Sequence, residues 1–389
     1  MRFFLFFTSL LFYLFCVKAP DKVDPPYLVL QYLKEQNSST NQDTTQNAVD
    51  VCGQPTGPFS PGALFDTGFT TCWNGTFAIL CTNTGQDGEY NNIPNARTFS
   101  GPTQHCQYPA DYTTLDTLHG LTWKTCAQGQ SGATCTIGGP ISISWDDATG
   151  GLPGSCADLN TQNGGKGYAG KTNWRIPNIR EVASLIHYGN NPHFDTTRFP
   201  NTFSGNHYLS VTNNALGAGS AWAINIALPS TGAFTIAKNL PVNLRCVSGN
   251  PLPALSLSDN GNQTVTDPST GLLWTQCQDG TSGLACALGG ANLRDWNQAL
   301  NACNTMNFAT RSDWRLPNVN ELQSIIDYNQ GFAPVVPNII FPGITPGLFW
   351  TSTTFDNDKN LAHVVDLGSG QIATNDKSST LNVLCVTTK

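Results

Sequence analysis

The sequence predicts an α+β fold built as two tandem copies of one unit and stapled by disulfides. Three observations carry that expectation. Residues 174–182 recur as residues 314–322, cysteines recur in the same order around them, and helical apolar spacing gives way to alternating spacing inside each copy. Over the 15 residues that begin at Trp174 and at Trp314, 8 are identical.

Each copy opens on a strand. Residues 116–126, with Gly120-Leu121-Thr122-Trp123, match residues 267–277, with Gly271-Leu272-Leu273-Trp274, without a gap. The match runs on through Cys135 and Cys286 and through Trp145 and Trp296. Trp296, Ala299, Leu300 and Cys303 then fall at helical spacing, and Cys156 stands for Cys303 in the first copy. In the shared motif Pro317 holds Leu316 extended, so the chain enters the next helix from a strand. Asn318 reads as its N-cap and Glu321 as the capping-box partner. Val319, Leu322, Ile325 and Ile326 give that helix one apolar face. Pro177, Asn178 and Glu181, with Ile179, Val182, Leu185 and Ile186, repeat the device. Trp174 and Trp314 are expected as buried rings, Arg175 and Arg315 as internal ion-pair partners. Alternating runs at 221–226 and 362–367 read as strands. Each copy closes on an apolar strand carrying Cys246 or Cys385. Two helices with a mainly antiparallel sheet are thus expected per copy.

The repeat also suggests a pairing. Cys126–Cys135 and Cys277–Cys286 would close Gly-rich loops of similar size, while Cys156–Cys246 and Cys303–Cys385 would tie helix to last strand. Four cysteines alone leave three connectivities open. Setting Cys16 aside leaves twelve of the 13 cysteines, which can all pair, and disulfides imply an oxidising compartment. The apolar run 3–17 fits a signal-peptide core, with residues 1–19 as the peptide. Cys16 is the alternative, as a lipidated first residue and the one expected membrane contact. Residues 20–50 read as a flexible tether. Residues 51–111, with Cys52, Cys72, Cys81 and Cys106, read as a stapled module or an extension packed on the first repeat; their pairing is open. Repeat 1 spans 112–249, a linker 250–258, repeat 2 259–389.

Charged residues make up only 12%, and the net charge is -7, which argues against nucleic acid and against polyanions in general. The first copy is the more basic of the two. No dinucleotide, phosphate-loop or zinc-protease motif occurs, and the six histidines do not occupy equivalent places in the two copies. Asp356 and Asp358 space oxygen groups as calcium loops do, but without the glycine and distal glutamate, so a solvated loop is the default and no cofactor is expected. Tyr208, Trp222 and Trp350 are candidates for stacking on sugar faces, although Tyr208 and Trp350 lie beside apolar strands and read first as core.

Thr264-Val265-Thr266-Asp267, Gly271-Leu272-Leu273-Trp274, Trp314-Arg315-Leu316-Pro317-Asn318 with Glu321-Leu322, Phe349-Trp350-Thr351-Ser352-Thr353 and Val383-Leu384-Cys385-Val386 together resemble the Lcl C-terminal domain family of exported bacterial proteins. The first copy departs at Thr122, usually apolar, and at Tyr208, which replaces Trp350. The resemblance implies a C-type lectin-like fold, exposure at the cell surface or outer membrane or in the extracellular medium, and, in adhesive members, binding of sulfated glycans. A shorter Arg-Leu-Pro…Glu stretch resembles formylglycine-generating enzymes, which would imply an oxidoreductase with free thiols in a cleft. The expected function is non-catalytic: an adhesion-type surface protein that binds a glycan or a partner protein through loops near 203–221 and 343–361. The rival is an architectural envelope component. The oligomeric state stays open.

Overall fold

Pro177 and Pro317 each stop a short extended segment and hand the chain to a helix. The computed structural model describes residues 57–202, 207–226 and 231–388, all within one compact unit of the chain. The expected signal peptide and tether, Cys16 and Cys52 lie outside the described residues. Helices Ile179–Ala183 and Val319–Ser324 start at Asn178 and Asn318, and both carry a full capping box with Glu181 and Glu321.

The fold is mixed α+β, mostly sheet, with five disulfides among the described residues. In the first copy, strands Tyr112–Asp116, Leu121–Lys124, Val247–Ser248 and Trp174–Arg175 form one antiparallel sheet. A second sheet joins Gly232–Ala237, Ser220–Asn225, His207–Asn213, Val242–Asn243 and Ser142–Ile143, with one parallel pairing, Tyr208 to Asn243. The second copy reproduces both. Strands Ser258–Asp259, Thr264–Asp267, Leu272–Thr275 and Val386–Thr388 make the first sheet, and Arg315 bridges Val386 as Arg175 pairs with Val247. Leu348–Thr354, Leu361–Asp366 and Ile372–Asp376 make the second, and Phe349 bridges Asn382 in parallel.

Two expectations need correction. The first copy does not keep one helix between Trp145 and Cys156. Gly150, Gly151 and Pro153 interrupt it, leaving Trp145–Thr149 and the kinked Ala157–Gly165, where the second copy has the single helix Trp296–Asn304. Residues 57–111 are an extension, not a module, but they pack on both copies. Phe99–Gln104 adds a strand beside Tyr112–Asp116, while Asn320 Nδ2 donates to Phe65 O at 3.1 Å and Thr353 Oγ1 to Asp87 Oδ2 at 2.7 Å.

The two copies share one core. One buried cluster runs through both, from Trp123, Ile186 and Trp222 to Trp274, Ile326 and Leu384. The contact between them is reciprocal. Trp222 meets Tyr328 edge-on at 4.9 Å, and His363, at the matching place in the second copy, meets Tyr188 at 4.9 Å. Leu252 and Leu257 of the linker pack against the same cluster.

Candidate functional site

The repeated Trp-Arg-Pro-Asn-Glu motif is a joint, and its polar groups are used up inside the fold. Arg315 Nη1 and Nη2 donate to Glu321 Oε2 and Oε1 at 2.6 and 2.5 Å, and Asn318 N donates to Oε2 at 2.9 Å. Arg175 Nη1 and Nη2 donate to Glu181 Oε2 and Oε1 at 2.7 Å each. Trp174 and Trp314 are buried rings, with Nε1 donating to Tyr168 O at 2.8 Å and to Phe308 O at 3.0 Å. The structure joins Cys126 to Cys135, Cys156 to Cys246, Cys277 to Cys286, Cys303 to Cys385 and Cys72 to Cys81.

The aromatic candidates are placed differently from a sugar platform. Tyr208, Trp222 and Trp350 are buried, at 2%, 2% and 0% exposure, so none can stack on a ligand. They face inward because each lies on a strand whose buried side faces the core. Asp356 Oδ1 accepts from Lys359 Nζ at 2.6 Å, and Asp358 Oδ1 from Asn360 N at 3.0 Å. Among the described residues no group of three or more His, Cys, Asp or Glu could hold a metal ion.

Beside that Asp356–Asn360 loop lies a groove of about 680 Å3. It is lined by the hairpin that Cys72–Cys81 closes, by helix Trp296–Asn304, by Lys359 and Asn360, and by Asp376, Lys377 and Ser378. Its floor is a well-anchored helix. Asp295 caps it in a box with Gln298, the Cys303–Cys385 bridge ties it to the last strand, and Trp296 Nε1 donates to Thr351 O at 2.8 Å. Trp296, Leu300 and Cys303 point inward, which leaves Asn297, Asn301 and Asn304 along the groove side at i, i+4 and i+7.

The hairpin wall is equally fixed. Trp73 N donates to Gln86 Oε1 at 2.9 Å, and Gln86 Nε2 returns a bond to Trp73 O at 2.8 Å. The Glu89 carboxylate gathers the N–H groups of Asn83, Thr84 and Gly85 at 2.7, 2.9 and 2.8 Å. Gly85, at φ 70°, lies so close to helix residue Asn304 that an added Cβ would stand 2.3 Å from Asn304 Nδ2.

Two cations border the groove and both are engaged. Lys359 Nζ lies 4.5 Å from the Trp73 ring centre, besides its bond to Asp356. Lys377 Nζ lies 3.8 Å from the Trp296 ring centre and donates to Thr354 Oγ1 at 2.9 Å. Burial, then the charge of Lys359, pulls the Lys377 amine down to about 7. By contrast, the side-chain amides of Asn83, Asn297, Asn301 and Asn304 have no hydrogen-bond partner among the described residues. Asn83, Asn297 and Asn301 are exposed and offer donors and acceptors on one rigid fork, which suits hydroxyl-rich ligands, whereas Asn304 Oδ1 is buried beneath the hairpin wall.

Sequence reasoning identified the Asp356–Asn360 loop and missed the rest of this groove. The asparagine row was readable between the apolar positions of its helix, where asparagine is a poor helix former. The hairpin wall was not, because it arrives from more than 200 residues away. No curated protein matches the chain. The model of the Lcl C-terminal domain matches residues 112–248 and 263–387, the two copies described above, and the chain belongs to that family.

Proposed function

We propose that this is an exported, non-catalytic surface protein that binds a glycan through the groove of its second copy, each copy being a C-type lectin-like unit. The observation that carries this reading is the convergence of three exposed, uncommitted asparagine amides, of Asn83, Asn297 and Asn301, in a groove whose walls are stapled by Cys72–Cys81 and Cys303–Cys385. Pre-organised polar groups on rigid elements favour recognition, because little freedom is lost on binding. The lectin-like reading draws on the bridge between helix and last strand in each copy. A non-catalytic role fits the disulfide bonding of every cysteine among the described residues, and the mutual pairing of the motif's Arg and Glu. Export fits the five disulfides.

The rival reading, an architectural component, draws on Phe77 and Leu80, which stand 70% and 88% exposed on the same hairpin. The two are separated by a glycan array probed with the intact chain and with Asn297→Ala/Asn301→Ala. Glycan signals that the double variant loses, at unchanged melting temperature, support the proposal. A blank array, with a protein partner lost on Phe77→Ser/Leu80→Ser, moves the assignment to the rival.

A further inference from the structure

Resting on the reading of the groove as a glycan site, we infer that its ligand is an uncharged saccharide presenting adjacent hydroxyls, and that the groove selects against sulfated or carboxylated glycans.

The groove carries no net positive charge. Asp295 and Asp376 offset Lys359 and Lys377 among the lining residues, and Asp356 and Asp358 lie beside them. Only one of the two ammoniums, Lys359, is ion-paired. Lys359 is held between Asp356 and the Trp73 ring, and Lys377 between Thr354 and the Trp296 ring, with its proton held weakly at neutral pH. A sulfate entering the groove would meet one ammonium without a carboxylate partner, Lys377, and would face the carboxylates of Asp295 and Asp376, with Asp356 and Asp358 beside them.

Hydrogen-bond chemistry points the same way. Each asparagine amide presents N–H donors and a carbonyl acceptor. A hydroxyl both donates and accepts, so a pair of adjacent hydroxyls can satisfy both ends of an amide. A sulfate or carboxylate group only accepts, and where it replaces a hydroxyl it would leave the amide oxygens of Asn83, Asn297 or Asn301 unmet. Spacing adds a length. The exposed amides of Asn297 and Asn301 are four residues of helix apart, a rise of about 6 Å, on the scale of one sugar ring. The groove is also large enough, since ligand sites run to about 300–1,000 Å3.

The test is calorimetric titration of the full disulfide-bonded chain. The probes are neutral tetrasaccharides (cellotetraose, mannotetraose and N-acetylchitotetraose) and a heparin tetrasaccharide, at salt from about 50 to about 500 mM. We expect one neutral probe to bind with an affinity that changes less than about twofold over that range. Asn297→Ala/Asn301→Ala should weaken it about tenfold or more. Both positions are exposed on a helix where alanine is favoured, so the variant keeps the fold, and an unchanged melting temperature checks this. Preferred binding of the heparin probe, falling steeply with salt, would overturn the inference and leave the glycan reading standing. Neutral binding indifferent to the double variant would overturn it as well. If no probe and no member of a glycan array binds, the inference and the reading beneath it both fail.

Discussion

Glu321 is fully buried and serves three donors at once: the two guanidinium nitrogens of Arg315 and the N–H of Asn318. Removing it strands a cation that is itself 4% exposed, so Glu321→Ala should cost about 3–5 kcal/mol in denaturant unfolding. Glu181→Ala should cost less, because the Arg175 side chain is 25% exposed and water can take over its donors. Equal losses would count against this account. Asp87 makes a pH prediction. Burial, then the charge of Asp66, raises its carboxyl to about 8, while the hydroxyls of Thr353 and Thr67 work the other way. A folded pKa above the ordinary value means stability that is present below the ordinary carboxylate pKa and lost as pH rises through about 8. Asp87→Asn keeps the acceptor for both hydroxyls and cannot ionise. Its melting temperature should therefore exceed the parent's above pH 8 and converge with it in acid.

At the scale of elements, the two kinds of bridge should differ in weight. Cys303–Cys385 spans 82 residues and Cys277–Cys286 spans 9, so removing the long bridge should cost ~2 kcal/mol more by the loop-entropy account. Paired Cys→Ala variants compared by urea unfolding would show it, and a larger loss from the short bridge would contradict it. The capped helices were legible in the sequence because proline, asparagine and glutamate act over three or four residues. The interruption of the first copy's helix was legible too, in Gly150-Gly151 and Pro153, yet the alignment of Cys156 with Cys303 masked it.

At the scale of the whole molecule, the reciprocal contacts of Trp222 with Tyr328 and of Tyr188 with His363 make the copies halves of one core. The chain over the described residues should therefore unfold in one calorimetric transition. A fragment starting at residue 259 should expose Ile326, Tyr328 and Ile372, bind a hydrophobic dye and lose cooperativity. Two transitions would refute the shared core. The same interface carries an acid sensitivity. Burial, then the charge of His193, depresses His363 to about 3, and burial depresses His193 to about 4. Tyr188 and Phe355 face both imidazoles, and the charges of Asp356 and Lys359 act on His193. Folded values below the ordinary 6.5 mean stability present above that pH and lost as pH falls toward 4. His363→Phe should flatten that loss in a melting series across acid pH.

The sequence by itself determined the α+β class, the repeat, the capped helices and the burial of the motif's tryptophans. All of these follow from backbone chemistry and apolar spacing within a few residues, or from comparing one copy with the other. The groove was partly written there as well, in the asparagines at helical spacing and the Asp356–Asn360 loop. Only the tertiary structure decided that Tyr208, Trp222 and Trp350 turn inward, because the side a strand shows to solvent depends on what packs against it. Only it decided that the copies share a core, and that the hairpin at 72–81 crosses to the second copy to complete the groove. Those are long-range contacts, set by shape and by the desolvation of whole faces, and no local pattern in the chain encodes them.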